Sequence, residues 1–243
     1  MDALATAAFF DVDGTLTTAT SMFRFLQYRM AADGLPPHRY AQERRRLRAM
    51  TALGLSRTET NRAYFTNYQG LPAAEVEELA EQWFVAELRL GGFFHPAALE
   101  SLRRHAASGE VTVLVSGSFP ACLTPIARYV DADFVLCSEP EIVDGRYTGH
   151  IERPMIGEEK AAAVRKLADR HRIDLHAPAA YGDHVSDLPL LRLAGASVIV
   201  GTDPEMAKHA RHHGWRSLPA APAAPSLPLP YTHSPRRLRS LHA

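Results

Sequence analysis

The stretch Ala7-Ala8-Phe9-Phe10-Asp11-Val12-Asp13-Gly14-Thr15 joins an apolar run to an acidic turn. A short apolar run closed by turn residues reads as a buried strand. Asp11 and Asp13 are two apart, so an extended backbone sends both carboxylates to one side at the mouth of a sheet, where they could share a metal ion. Gly14 permits a sharp exit of the chain, and Thr15 can offer a hydroxyl and an amide to an anion. Taken alone, a solvated Asp-Gly turn after a strand would look the same.

Working outward, the residues from Ser21 to Leu90 are helical in character. Met22, Phe25, Leu26 and Met30 recur at helical spacing, Glu43 to Arg46 forms a charged face, and Ala73 to Leu88 is rich in Ala, Glu and Leu. After Gly91-Gly92 the pattern alternates. Helices are expected at Pro96–Ala107, Glu158–His171, Asp187–Leu193 and Pro204–His213, and strands at Val111–Val115, Phe134–Cys137, Ala179–Gly182 and Ser197–Val200. Asp144-Gly145 signals a hairpin within Glu141–Gly149. The fold class is therefore α/β, a parallel sheet with a helical insert after its first strand. Residues 1–16 and 92–218 form the core, 17–91 the insert, and 219–243 a Pro/Ala-rich tail expected to be disordered. An insert after strand one overhangs that strand's C-terminal end, the crevice where open α/β sheets bind ligands, and is positioned to act as a lid.

The bulk properties exclude several classes. Lys plus Arg and Asp plus Glu balance at 27 each among 243 residues, so no whole-molecule field favours nucleic acid or an anionic membrane, and any anion site must be local. Cys122 and Cys137 lack metal-ligand spacing and suit a reducing compartment. The N-terminus lacks the features of a secretory signal, and no apolar run approaches the ~20 residues of a membrane helix, so a cytoplasmic location is expected.

Three further elements fall at strand ends or helix starts. Ser116-Gly117-Ser118 follows an apolar strand and precedes Phe119-Pro120, where hydroxyls and free amides suit phosphate. Lys160 lies in the first turns of a helix, where a cation opposes the helix dipole unless something anionic faces it. Gly182-Asp183-His184-Val185-Ser186-Asp187 follows the strand Ala179–Tyr181 and leads into a helix, so Asp183 again marks a strand end. Asp187 can cap that helix, hold Lys160, or do both. His184 reads as structural. Three acids, a hydroxyl and a lysine on one side of one sheet make the mixture that phosphate transfer needs.

These four elements, in their order and rough spacing, resemble the haloacid dehalogenase superfamily from about Phe9 to Gly201. Asp144-Gly145-Arg146-Tyr147-Thr148-Gly149 and Gly182-Asp183-x-x-x-Asp187-Leu188-Pro189 are most similar to its phosphoserine-phosphatase-like subfamily IB. The resemblance implies a Rossmann-like core with a C1 cap, and a Mg²⁺-dependent phosphatase. In it Asp11 attacks phosphorus to form an aspartyl-phosphate, while Asp13 protonates the leaving oxygen and then activates water. Thr15, Ser116, Gly117 and Lys160 would bind phosphate. Mg²⁺ would be held by the Asp11 carboxylate, the Asp13 main-chain carbonyl and Asp183, with Asp187 orienting the site; such an oxygen-only set suits this ion. The expected partner is a small phosphorylated metabolite, with Met22, Phe23 and residues of the cap shaping its pocket. Phosphoserine phosphatases carry a glutamate soon after the first motif to hold the substrate amine, whereas Leu16-Thr17-Thr18-Ala19-Thr20-Ser21-Met22 has no carboxylate, which points away from phosphoserine. Phosphotransfer to an alcohol and a phospho-receiver signalling domain are the competing readings.

Overall fold

The computed structural model describes residues 4–175 and 178–226. Strand β1 (Ala7–Phe10) is followed by four helices, α1 (Ser21–Ala32), α2 (Pro37–Ala52), α3 (Arg57–Phe65) and α4 (Ala73–Leu90). The chain then alternates through α5 (Pro96–Ala107), β2 (Val111–Ser116), α6 (Pro120–Val130) and β3 (Phe134–Cys137). A hairpin of β4 (Ile142–Val143) and β5 (Arg146–Tyr147) precedes α7 (Glu158–His171). The sequence closes with β6 (Ala179–Gly182), α8 (Leu188–Leu191), β7 (Ala196–Val200), α9 (Pro204–His213) and β8 (Arg216–Leu218).

Six strands form one parallel sheet in the order β3-β2-β1-β6-β7-β8. β1 lies inside it, with Phe10 beside Leu114 of β2 and Tyr181 of β6. From β1 the chain builds outward first toward β3 and later toward β8. Order therefore reverses next to β1, and in an open α/β sheet that reversal leaves a crevice at the C-terminal strand ends. β1 is buried on both faces: Ala8 and Phe10 enter one apolar cluster, Ala7 and Phe9 the other. Such two-sided burial follows from helices packing on both sides.

The insert has no separate core. Phe25, Trp83, Tyr64 and Tyr68 are continuous with Phe119 of α6 and with Phe10 and Tyr181 of the sheet. The outermost helix is the least anchored, since α2 buries only Leu47. In the hairpin, Asp144 and Gly145 both take positive φ, 50° and 72°, as a two-residue turn of matching twist requires.

Three sequence expectations need correction. The helix expected over Asp187–Leu193 is a 3-10 turn at Val185–Asp187 followed by the short α8. β8 was not anticipated, because Arg-Ser-Leu at an exposed edge carries no burial pattern. Residues 219–226, expected to be disordered, form neither helix nor strand yet are held: Pro219 O accepts from His95 Nε2 (2.8 Å) and Pro225 O from Arg24 (2.9 Å). The rest of that tail, 227–243, lies outside the described residues. Cys122 is buried and Cys137 only partly so. Among the described residues no helix is long and apolar enough to cross a membrane.

Candidate active site

β1, β2 and β6 end side by side, which brings Asp11, Ser116 and Asp183 to one crevice. A cavity of about 430 Å³ opens there, lined by Asp11, Asp13, Ser116, Gly117, Lys160, Asp183 and Asp187 from the core side and by α1, α2 and α3 from above. Small-molecule pockets typically have this size.

Asp11 prolongs β1, its amide donating to Tyr181 O at 3.0 Å. Its side chain is buried and paired with Lys160 Nζ, which also donates to Asp187 Oδ1 at 2.7 Å. The anionic partner that the helix position of Lys160 called for is thus a pair of carboxylates. Burial works to lower the Lys160 pKa, but Asp11 and Asp187 outweigh it and hold it above its ordinary value. Burial pushes the Asp11 carboxyl well up; Lys160 opposes this, while Asp187 and Asp183 reinforce it.

Asp13 lines the same cavity but is held apart from that pair. Its Oδ1 accepts from Ser21 N (2.8 Å), the first residue of α1. Burial raises its pKa, and the Ser21 hydrogen bonds only partly offset the rise. The turn carrying both aspartates needs glycine at 14: φ is +95°, and a Cβ there would lie 2.3 Å from Asp183 Oδ2.

Asp183 is pushed up to about 6 by burial and then by Asp187, with Thr15 pulling the other way. Thr15 is fully buried and donates to Asp183 Oδ1 at 2.9 Å. Its hydroxyl therefore steadies a carboxylate and does not line the cavity, in contrast to the phosphate contact expected from sequence. Asp187 Oδ2 accepts from His184 N (3.2 Å), and a Cβ on Gly182 would meet Asp187 Cβ at 2.7 Å. His184 is local in role, its Nδ1 accepting from Ser186 N at 3.0 Å. Ser116 Oγ accepts from Ser118 N (3.1 Å), leaving its proton to give toward the cavity. Gly117 lets Ile156 approach to where a Cβ would be 3.2 Å from Cγ1.

The residues present fit a divalent cation. Carboxylate oxygens of Asp11, Asp183 and Asp187 all lie within 4.8 Å of one another. Lys160 is the cation bonded to them among the described residues, and Asp11 and Asp183 stay raised, by burial first and then by the neighbouring carboxylates. An all-oxygen set of this kind suits Mg²⁺. Asp187 joins this cluster as well as orienting Lys160, whereas the Asp13 carboxylate stays with Ser21.

Sequence reading set the insert over the cavity as a lid but did not single out the polar residues of its upper wall. Arg44 and Arg48 of α2, and Arg57 and Asn61 of α3, line it. Asn61 Nδ2 donates to Gly117 O (3.0 Å) and Arg57 to Ser186 Oγ (3.2 Å), tying α3 to the core. The only available signal was the arginine-rich run in 44–48, which reads equally as a solvated face.

The sequence profile of haloacid dehalogenase-like hydrolases matches residues 8–192. The chain belongs to that family. Among its relatives, a probable phosphatase of Mycobacterium tuberculosis is 30% identical over 217 residues, spanning 86% of this chain and 74% of the relative. The phosphoserine phosphatase SerB1 of the same organism is 29% identical over 223 residues, spanning 87% and 70%. The fold of this haloacid dehalogenase-like hydrolase is shared with a protein of unknown function from Bordetella pertussis Tohama I, with TM-score 0.80 at 23% identity over 89% of this chain and 99% of the other. A phosphoserine phosphatase holding a phospho-aspartyl intermediate analogue superposes with TM-score 0.63 at 20% identity, covering 85% and 91%.

Proposed function

We propose that the chain is a Mg²⁺-dependent phosphatase that hydrolyses a small phosphomonoester through an aspartyl-phosphate. The observation that carries this reading is the buried Asp11–Lys160–Asp187 constellation at the strand ends, with Asp13 two residues along and held apart by Ser21. Two neighbouring carboxylates in different surroundings suit two different roles.

Asp11 Oδ attacks phosphorus and forms a P–O bond as the ester P–O bond breaks. Asp13, whose raised pKa favours carrying a proton, gives it to the leaving alkoxide. Asp13 then takes a proton from water, which attacks the aspartyl-phosphate, freeing phosphate and restoring the Asp11 carboxylate. Bringing a carboxylate to a phosphate dianion costs about 4 kcal/mol per pair of unit charges at ~4 Å and an effective dielectric of roughly 20. Lys160 offsets part of this, and the Ser116 hydroxyl and Gly117 amide can hold the phosphoryl oxygens. A Mg²⁺ held by Asp11, Asp183 and the Asp13 carbonyl, with Asp187 beside them, would supply further positive charge.

Names of relatives suggest phosphoserine, but residues 16–22 have no carboxylate, and among the described residues the cavity's acidic ones are Asp11, Asp13, Asp183 and Asp187. An ammonium-bearing substrate would find no counter-charge on the upper wall, so another phosphomonoester is favoured, with Met22 and Phe23 against its body. Assay of phosphate release from a panel of small esters with Mg²⁺ tests the reading. Asp11→Asn should abolish turnover; ordinary activity in that variant would remove Asp11 as the nucleophile.

A further inference from the structure

The upper wall has a charge pattern that hydrolysis alone does not require. Arg44, Leu47, Arg48 and Thr51 of α2 fall at i, i+3, i+4 and i+7, and all four line the cavity. They form one helical stripe along the cavity, in which Leu47 is buried and Arg44 partly so, while Arg48 and Thr51 are exposed. The same helix neutralises Arg46 with Glu43 at 2.6 Å. Arg44 and Arg48 have no such carboxylate among the described residues. Arg44 is partly buried, with its guanidinium 3.6 Å from the centroid of the Phe23 ring. Burial lowers the Arg44 pKa, Tyr40 pulls the other way, and the nearby Arg48 adds a smaller push downward. Like charges at i, i+4 destabilise a helix. Two cations lining one cavity, neither paired with a carboxylate among the described residues, mark a place where an anion belongs.

We propose that Arg44 and Arg48 form a second anion subsite, so that the alcohol half of the substrate carries its own negatively charged group, a carboxylate or a second phosphate. This rests on the phosphatase reading for the first phosphate, which would sit on the cavity floor near Lys160. Phe23, stacked under Arg44, holds that guanidinium in place and gives an apolar wall to the linking carbons. The subsite selects against cationic esters by repulsion and against neutral ones by leaving the arginines unpaired.

Calorimetric binding to the Mg²⁺-loaded protein tests the subsite without turnover. The probes are propylphosphonate, 3-phosphonopropionate, propane-1,3-bisphosphonate and 3-aminopropylphosphonate. The carboxylate or the bisphosphonate probe should bind at least about 10-fold tighter than propylphosphonate, and the amine weakest. Which of the two anionic probes leads identifies the group. In Arg44→Gln/Arg48→Gln the ratio of anionic to neutral affinity should fall toward one, and Arg44→Lys/Arg48→Lys should restore part of it. Equal affinities in the parent protein, a preference for the amine, or a preference that survives both glutamines would overturn the proposal. Phosphate release from the matching esters is measured in parallel: charge-selective binding with no hydrolysis would leave the subsite standing and remove the phosphatase reading.

Discussion

Burial holds the Asp183 carboxyl at about 6, with Asp187 pushing the same way, against 3.8 for a free side chain. Between those values the folded protein keeps a proton that the unfolded chain releases, so this residue's contribution to stability falls as pH rises through the window and stays low above about 6. In chelator, Asp183→Asn should therefore be more stable than the parent at about pH 7, by an amount on the order of a few kcal/mol that shrinks toward pH 4. Added Mg²⁺ should stabilise the parent and not the variant. Urea denaturation at the two pH values checks both statements, and a pH-independent difference would contradict them. In the proposed mechanism Asp13 is the general acid, whose loss typically costs about 10²–10⁴ in rate, so Asp13→Asn should slow phosphate release by that order while substrate binding persists. Single-turnover kinetics separates the two. Asp11, Asp13, Ser116, Lys160 and Asp183 were legible one by one, because each follows an apolar run or opens a helix. The bonds of Thr15 to Asp183 and of Asn61 to Gly117 were not, since their partners lie 168 and 56 residues away.

At the scale of elements, the helices Pro96–Ala107, Glu158–His171 and Pro204–His213 match their sequence expectations, because Pro opens the first and third, Gly157 and two glutamates open the second, and a glycine follows the end of the first and third. β8 and the 3-10 turn at Val185–Asp187 carry no such punctuation. Neither was visible how α1 and α4 are joined. Glu87 of α4 is fully buried and accepts from Arg24 Nε (2.6 Å) of α1 and from Trp83 Nε1 (2.8 Å). Removing one partner of a buried pair strands the other, so Glu87→Ala should destabilise by about 3–5 kcal/mol, read from the urea midpoint. Just past α4, Gly92 has φ +73°, and a Cβ there would lie 3.2 Å from Pro225 Cδ. Gly92→Ala should cost roughly 1–2 kcal/mol of stability through left-handed backbone strain. A neutral result would mean that this junction tolerates a shift.

Over the whole molecule, the segment 219–226 returns across the junction between insert and core, where Arg24 and His95 grip it. The His95 ring is set for this, since Nδ1 accepts from Ala98 N and leaves Nε2 to donate to Pro219 O. Releasing this segment by ending the chain after Leu218 should lower stability, with about 1–2 kcal/mol coming from the two hydrogen bonds made by the described residues, read from the urea midpoint. A net charge of zero gives no hint of the local field inside, where carboxylates cluster below and arginines above. By itself the sequence determined the α/β class, the helical insert after strand one and the chemical identity of the cavity floor. Those are local matters, written in apolar runs that end in acids, hydroxyls or a lysine. Only the tertiary structure decided which carboxylates share Lys160, that Thr15 serves Asp183, and that α2 sets Arg44 and Arg48 along the cavity. These depend on how helices pack across the sheet, through contacts between residues far apart in the chain that no local pattern records.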